Sequence, residues 1–440
     1  MDLCRTSSAI FRGMMVVSRR SKGKSRLKPN IFALVVMVAV LVPLYATCPA
    51  AGQSTSKVPT QLVAFPGAEG FGALASGGRG GEIYHVTNLN DHGAGSFRDA
   101  VSKERRIVVF DVGGYIDLAS EVRVASNITI AGQTAPGEGV CFKNYNISIG
   151  PSHNVIIRYL RLRQGLTARG EHQTAFGLRN CQNVMVDHVS IEWGRWDCIG
   201  FTESSDVTLQ YCLIGEGVDP QRFGCLCESD NVTFSHNLWI NNQSRNPKSK
   251  GTVQYINNVV YNWGVTGYVG GHSEAVHFAD LINNYFIKGP SSGDRFAGEF
   301  TATDHIFQSG NFVDLNRDGR LSGRLAGAGD FPGPTLIGTP TMKPPVPVTV
   351  DSAADACKKV FAGAGDSLHR DAIDMRLIQE AQSLGKLGTI IHDPASVRGF
   401  GEIKGGPAIK IPVADPNRVT PSGYTAIEEY INALPGSISP

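Results

Sequence analysis

A repeat of paired short strands runs through the middle of the chain and constrains the fold more than any other feature. Eight segments of alternating β-branched or aromatic residues recur at intervals of 21–29 residues, each with a small polar residue between two short strands. One such unit cannot bury its apolar face alone, so the units must stack on one another. The segments start at residues 127, 154, 183, 206, 231, 252, 279 and 305.

Alignment of the segments at their polar residue gives a single column. Its members are His188, Cys212, Asn237, Asn258, Asn284 and Asn311. Asn tolerates left-handed backbone and satisfies turn groups with its own amide, so one Asn per turn would form a ladder along a coil. A β-sandwich would instead show hairpin signals such as Asn-Gly between strands. We therefore predict an all-β fold, a right-handed single-stranded parallel β-helix, in which His188 belongs to the ladder.

The first 51 residues have the pattern of a secretory signal. Residues 1–30 carry eight Lys or Arg residues and one acid, and residues 31–46 are apolar and uncharged. Small residues follow this run, as they do at signal cleavage sites. A single membrane anchor is the alternative, but the run is short for a span and contains Pro43. We predict a signal peptide over 1–51, a secreted protein and no stable membrane association after cleavage.

The composition left by that cleavage limits the possible partners and the cysteine chemistry. Removal of the signal leaves 33 basic and 38 acidic residues, a mildly acidic chain that does not suit nucleic acid. It also leaves seven cysteines, an odd number that keeps at least one thiol free in an exported protein. We expect most of them to be small core residues, with one or two disulfides.

The two ends of the coil complete the predicted organisation. Residues 95–102 form a short amphipathic helix that closes one end, and a Pro/Gly-rich stretch follows residue 326. We predict a β-helix catalytic domain over 52–326 and an extended, helical segment over 327–440 that packs on it. Helical signals in this segment lie within 352–365, 370–382 and 424–434. The protein is expected to be a monomer.

Four polar turns follow equivalent strands in successive repeats. They span residues 165–174, 193–198, 215–224 and 244–251. Equivalent offsets stack in a coil, so all four turns should line one side of it. This places the acids Glu171 and Asp197 near a cationic turn that holds Arg245, Lys248 and Lys250. Such a surface suits a polyanion bridged by Ca²⁺, because Ca²⁺ accepts carboxylate oxygens from both protein and ligand.

Two segments of the chain resemble the pectate lyases, family 1 of the polysaccharide lyases. RNPKSKGTVQYINNVVYNW, residues 245–263, resembles that family's Arg-x-Pro-x-x-(Arg/Lys) motif with its following Asn-Asn-x-x-Tyr. VMVDHVSIEWGRWD, residues 184–197, resembles the family's Val-x-Val/Ile-Asp-His-x-Ser/Thr segment. The segment at 64–101 is similar to the opening of a bacterial branch, and the likeness covers residues 62–434.

The resemblance implies β-elimination on (1→4)-α-D-galacturonan, the polygalacturonate of pectin, to give 4,5-unsaturated oligogalacturonides. Arg245 matches the family's base. Arginine normally has a pKa above about 12, so nearby cations such as Lys248, Lys250 and bound Ca²⁺ would have to favour its neutral form. Lys250 falls where the family has a second arginine for substrate carboxylate. Arg222 and Arg195 are further substrate-binding candidates.

The resemblance also implies a Ca²⁺ cofactor, with Asp197, Glu171 and Asp187 as candidate ligands. The sequence departs from the family nearby, because Thr174 stands where many relatives have Asp and Cys198 where a related branch has Glu. Two alternatives therefore remain open. One is a lyase for methylated pectin or another uronate polymer with weak or no calcium dependence, and the other is a non-catalytic β-helical carbohydrate-binding protein.

Overall fold

The computed structural model describes residues 61–434, except residues 169, 171 and 172. The predicted signal peptide and the candidate ligand Glu171 lie outside the described residues. Successive turns of the chain pair through parallel strands, so the parallel β-helix predicted from the repeats is confirmed. None of the helices in the described part of the chain is both long and apolar enough to cross a membrane.

Each turn of the coil passes through three sheets in the same order. Sheet 1 contains Glu82–Val86, Arg106–Phe110, Ile128–Ala131, His277–Ile282, Asp304–Ser309 and Thr335–Leu336. Sheet 2 contains Gly114–Asp117, Val140–Lys143, Leu213–Gly215, Leu238–Ile240, Val259–Tyr261, Tyr285–Ile287 and Phe312–Asp314, with Arg324–Leu325 antiparallel at its end. Sheet 3 contains Val122–Val124, Ile147–Ile149, Thr174–Arg179, Thr266–Val269 and Arg295–Gly298.

Five long strands turn a corner and contribute to two sheets each. His153–Arg163 and Gln182–Glu192 run from sheet 1 into sheet 2. Asp197–Gln210, Phe223–Ser235 and Lys248–Ile256 run from sheet 3 into sheet 1. The α-helices are Phe97–Ala100, Ala353–Gly363, Ala372–Gln382 and Ala426–Asn432, and short 3₁₀ helices span Phe71–Leu74, Gly132–Thr134, Ala328–Asp330 and Pro394–Val397.

The interior of the coil is apolar because strand residues alternate between the interior and the surface. In sheet 3, Cys225 and Cys227 are fully buried, whereas Leu226 and Glu228 are partly exposed. All seven cysteines of the described chain are buried and unpaired, so the predicted disulfides are wrong. Burial raises the pKa of Cys181 to about 11, which keeps this thiol protonated and unreactive.

A ladder of Asn side chains lies at the corner between sheets 1 and 2. The amide of Asn258 donates to Phe234 O at 2.9 Å, and its Oδ1 accepts from the backbone N of Asn237 at 3.0 Å. One turn on, Asn284 Oδ1 accepts from Asn258 N at 2.8 Å. Each amide thus pairs with buried backbone groups that the corner leaves outside the strand ladders. The predicted ladder is confirmed for Asn237, Asn258, Asn284 and Asn311, with Cys212 at its start.

His188 does not belong to this ladder, and the predicted alignment is wrong by one residue there. The strand register makes Val189 the residue equivalent to Cys212. His188 has a positive φ of 54°, like Tyr211 at 49°, and the two rings stack with centroids 5.1 Å apart. A second ladder, of stacked rings, therefore follows the same corner and consists of Tyr159, His188, Tyr211 and His236.

Replacing Asn258 by alanine is expected to lower the free energy of unfolding by about 1–3 kcal/mol, because the buried backbone groups Phe234 O and Asn237 N lose their partner. Chemical denaturation measures this change when both proteins are fitted with the same dependence of the free energy of unfolding on denaturant concentration. Asn90→Ala is the matched control, because Asn90 is exposed and lies outside the ladder. An Asn258→Ala protein as stable as the control would show that the ladder does not stabilise the coil.

The predicted helices form because a capping side chain starts each of them. Ser96 caps the short helix at the start of the coil, and its neighbour Phe97 packs on Phe142 with ring centroids 4.3 Å apart. In the tail, Ser352 accepts a hydrogen bond from Asp355 N at 3.2 Å. These are the cap contacts that satisfy the first free N–H groups of a helix.

The tail helices pack on sheet 2. Val360 and Leu377 are fully buried in one apolar cluster with Leu238 and Val259 of that sheet. The last helix begins at a capping box and buries Ile427 against sheet 1. Sheets 1 and 2 are therefore covered by the tail, and none of the tail residues up to 434 lines the groove on sheet 3 that is described below.

Candidate active site

The polar turns lie beside one another where the chain passes from sheet 2 to sheet 3. Gln221 N donates to Arg195 O at 3.4 Å, which joins the second turn to the third. Gly224 N donates to Ser244 O at 3.0 Å, which joins the third turn to the cationic one. The expected alignment of these turns on one side of the coil is therefore present in the structure.

Arg245 reaches across the start of sheet 3 and pairs with Asp197. Its Nη1 lies 3.2 Å from both carboxylate oxygens, and the Asp197 side chain is only 2% exposed. The guanidinium lies over Phe223, with Cζ 4.2 Å from the ring centroid. The Arg245 side chain is still 21% exposed, so it remains accessible from solvent. The pair must open before this guanidinium can turn towards a ligand in solvent.

Two lysines extend the cationic surface along the next strand. Lys250 Nζ donates to Glu228 Oε1, and the strand register places these two residues side by side. Lys248 Nζ lies 3.2 Å from His272 Nε2. Partial burial, followed by the neighbouring charges of Arg245 and Lys250, lowers the pKa of Lys248 below its ordinary value. Crowding of like charge is therefore a property of this turn, as the sequence indicated.

The other two candidate cations are held by neighbouring loops. Arg195 donates through Nη1 to Ala168 O at 2.8 Å and through Nε to Asp219 O at 3.3 Å. Arg222 donates through Nη1 to His392 of the tail at 2.8 Å and lies 3.5 Å from Asp219. Both guanidinium groups thus join loops in this structure, and their roles in substrate binding remain predictions.

The two candidate calcium ligands among the described residues, Asp187 and Asp197, lie on different sheets. Asp187 lies on sheet 1, where it accepts from Arg158 Nε at 2.7 Å and Gln210 Nε2 at 2.9 Å. Burial alone would raise its pKa, but His188 and Arg158 hold the pKa of Asp187 below the ordinary value. Asp197 lies on sheet 3 beside Thr174, a neutral residue. No group of three or more His, Cys, Asp or Glu side chains that could hold a metal occurs among the described residues.

Sequence reasoning missed Glu228, which faces Lys250, and His272, which faces Lys248. A signal for Glu228 was present. The strand alternates Cys225 and Cys227 inward, so residue 228 had to point outward. Counting one repeat onward from it reaches Lys250. The sequence contains no such signal for His272. This residue lies in a loop, and the path of the loop depends on tertiary contacts that the repeat pattern does not show.

A groove of about 780 Å³ runs along sheet 3 from this site towards the start of the coil. Asp197, Trp196 and Glu228 line the end near Arg245, and Glu121 and Arg123 line the far end. Its floor is formed by outward-facing strand positions of successive turns. Such an elongated, polar surface on a rigid sheet can hold an extended polymer beside a cluster of cations.

The fold and this groove define a β-helical protein that presents a cationic turn at one end of an open surface cleft. No family model matches the chain. The probable pectate lyase C of Neosartorya fischeri is 39% identical to it over 402 residues, which cover 86% of this chain and 95% of that protein. The probable pectate lyase C of Aspergillus flavus is 38% identical over 396 residues, with coverage of 85% and 94%. The chain belongs to the pectate lyase family.

Solved structures show the same fold. The thermostable pectate lyase PL 47 matches with a TM-score of 0.51 at 15% identity, over 71% of this chain and 99% of that one. A pectate lyase bound to hexasaccharide matches with the same TM-score and identity, over 70% and 98%. The two curated relatives come from fungi, so the resemblance reaches beyond the bacterial branch.

Proposed function

We propose that the protein is a secreted pectate lyase that cleaves polygalacturonate by β-elimination, with Arg245 as the base. The observation that carries the proposal is the position of Arg245, partly exposed at one end of the groove beside Asp197, Lys248 and Lys250. Membership of the pectate lyase family supports the reaction and the substrate. Secretion is supported by the basic and apolar pattern of the first 51 residues.

The reaction requires a base and a cationic environment for a carboxylate. The base removes the proton at C5 of a galacturonate, the C4–O4 bond breaks with its electron pair on the leaving oxygen, and a C4–C5 double bond forms. The C5 proton becomes acidic when the adjacent carboxylate is stabilised by positive charge. Lys250 and Lys248 supply that charge from the strand that follows Arg245. Arg245 takes the proton in its neutral form, after its pair with Asp197 has opened and the guanidinium has released a proton to water. Water then protonates the leaving oxygen.

The described residues do not by themselves fit a calcium site. Asp197 is paired with Arg245, Glu228 is paired with Lys250, and the neighbour of Asp197 in the register is Thr174. Ca²⁺ needs six to eight oxygen ligands. We retain Ca²⁺ as a proposed cofactor on the family resemblance, with Asp197 and Glu171 as ligands, and we assign no catalytic step to it. Asp187 lies on another sheet and is left out of this proposal.

A lyase for methylated pectin with weak calcium dependence is the second candidate function. The observation that favours it is the Asp197–Arg245 pair, in which a guanidinium already balances the acid that calcium would otherwise contact. Methyl esters also remove the need to neutralise substrate carboxylates with a metal ion.

Turnover of two substrates separates these candidates. We expect the mature chain to release product with the ultraviolet absorbance of a 4,5-unsaturated uronate from polygalacturonate, faster with added Ca²⁺ than with chelator. Faster turnover of methylated pectin, unchanged by chelator, would instead establish the second candidate. Absence of the product from both polymers under all conditions would reject both lyase functions and leave a binding protein.

A further inference from the structure

The floor of the groove on sheet 3 lacks side chains where a strand surface would ordinarily carry them. The strand register aligns Ser148, Gly177, Gly200, Leu226 and Lys248 in one outward-facing column, one residue per turn. The two glycines in the middle of this column lie in strand interiors and line the groove. Glycine in a strand interior weakens the strand, so its presence at two successive turns needs a reason.

Neither glycine is required by the fold. Neither has the left-handed backbone that favours glycine. A Cβ at residue 177 would meet its nearest atom, Ser148 Oγ, at 3.4 Å, which is ordinary contact. A Cβ at residue 200 would meet Thr174 Cγ2 at 3.1 Å, a tight contact with a side chain that would have to shift by a few tenths of an ångström. The absence of these side chains therefore keeps the space above the sheet open, and it is not needed for packing within the sheet.

The side of this floor carries a cation, Arg179, for which the described residues provide no carboxylate partner. Arg179, Thr202, Glu228 and Lys250 form the next outward column. Lys250 is balanced by Glu228, and at the far end of the groove Arg123 is balanced by Glu121 at 2.6 Å. For Arg179, the described residues provide one side-chain partner, Thr202 Oγ1 at 3.3 Å, which is neutral. Its guanidinium is exposed at the groove and can bind a carboxylate in two-pronged geometry.

We propose that Gly177 and Gly200 form a bare floor on which two or more galacturonate residues distant from the cleavage point lie against the backbone, with Arg179 binding one of their carboxylates. This inference rests on the proposed function and specifies how the same site selects long polymers. Adjacent strands are about 4.8 Å apart, so the five steps from Arg123 to Lys248 span roughly 24 Å. That length exceeds what the reacting sugar alone would occupy.

Binding without turnover tests the floor directly. In the Arg245→Ala background, so that the ligand is not cleaved, Gly177→Val is expected to weaken hexagalacturonate binding by about tenfold in calorimetry, a factor that one well-placed contact supplies. Gly338→Val is the matched control, because residue 338 is exposed and its Cβ would meet no atom within 4 Å. Arg179→Met should weaken the same ligand, and its effect should disappear at high salt because it is electrostatic.

Thermal unfolding separates groove filling from damage to the fold. Valine suits a strand better than glycine, so Gly177→Val should unfold at the same temperature as the parent or higher. Hexagalacturonate affinity equal to that of the control would overturn the inference and leave the lyase proposal untouched. A wild-type chain that binds hexagalacturonate and releases no unsaturated product would overturn the lyase proposal and leave the floor assignment standing. Lack of binding by every variant, the parent included, would overturn the floor assignment.

Discussion

Replacing Arg245 by lysine is expected to lower kcat on polygalacturonate by about 10²–10⁴-fold, the range that a positioned base contributes. Lysine keeps a positive charge near Asp197 but cannot place a second nitrogen over Phe223, where the guanidinium now lies. In the proposed function the groove and Lys250 also bind the polymer, so KM should change only slightly. Initial rates of unsaturated product formation, measured across pH, give both constants.

The matched control for this prediction is Arg324→Lys. Arg324 also pairs with an aspartate, Asp330, through Nη1 at 2.7 Å and Nη2 at 2.6 Å, but this pair is on the surface away from the groove. The Arg324→Lys substitution should leave kcat and KM unchanged. Turnover by Arg245→Lys at the wild-type rate would exclude Arg245 as the base, and a change confined to KM would restrict its role to substrate binding.

The same geometry assigns Asp197 a measurable role. In the structure its carboxylate holds the guanidinium of Arg245 through both oxygens. If Asp197 mainly restrains Arg245, Asp197→Asn should alter the pH profile of kcat while leaving its response to added Ca²⁺ as in the wild type. If Asp197 binds calcium, the same substitution should raise the Ca²⁺ concentration needed for half-maximal rate. The two titrations therefore separate an electrostatic partner from a metal ligand.

The fold could be predicted from the sequence because its information is periodic. A strand pair of constant length, closed by one Asn, specifies both the stacking direction and the corner of the coil. The alignment failed by one residue at His188 because this corner contains two adjacent special positions. One has left-handed backbone and the next carries the ladder amide, as with Asn257 and Asn258. Where a ring and an apolar residue occupy these positions, the sequence alone does not distinguish them.

Site residues could be predicted only where the residues that interact lie close together in the sequence. Arg245, Lys248 and Lys250 lie within six residues, so the motif itself contains the crowding of charge. Arg222 could not be assigned in this way, because its partner His392 lies 170 residues away in the tail. The groove could not be predicted from residue types either, because it depends on the absence of side chains at Gly177 and Gly200. Only the register of successive turns shows that these glycines are neighbours.

The contact between the tail and sheet 2 leads to the second large expected effect. Arg163 is fully buried on the strand His153–Arg163, and its Nη2 lies 3.0 Å from Asp371 Oδ1 and 2.9 Å from Asp374 Oδ1. Arg161, also fully buried, lies 3.1 Å from Asp374. Asp371 in addition caps the tail helix Ala372–Gln382 by accepting from Ile373 N at 3.1 Å. One carboxylate therefore both starts this helix and joins it to the coil.

Replacing Asp371 by alanine is expected to lower the free energy of unfolding by about 3–5 kcal/mol, because it removes one of the carboxylates that balance two buried arginines and also the cap of the tail helix. Burial alone would raise the pKa of Asp371, but Arg163 and then Arg161 outweigh it and hold the pKa below its ordinary value. A depressed pKa stabilises the folded state above the unfolded value of about 3.9, and this stabilisation is lost as pH falls below it. Denaturation of the wild type and of Asp371→Ala should therefore be measured between neutral and acidic pH. The difference between their free energies of unfolding should become smaller as pH falls.

Asp355→Ala provides the control for this measurement. Asp355 lies in the first turn of the neighbouring tail helix and pairs with Lys358 on the surface, so its loss should leave the unfolding transition unchanged. Limited proteolysis should then cut the tail of Asp371→Ala faster than that of Asp355→Ala, because the tail undocks from sheet 2 before the coil unfolds. Equal stability and equal cleavage of the two variants would mean that apolar contacts such as Leu377 with Leu238 hold the tail without the buried charges.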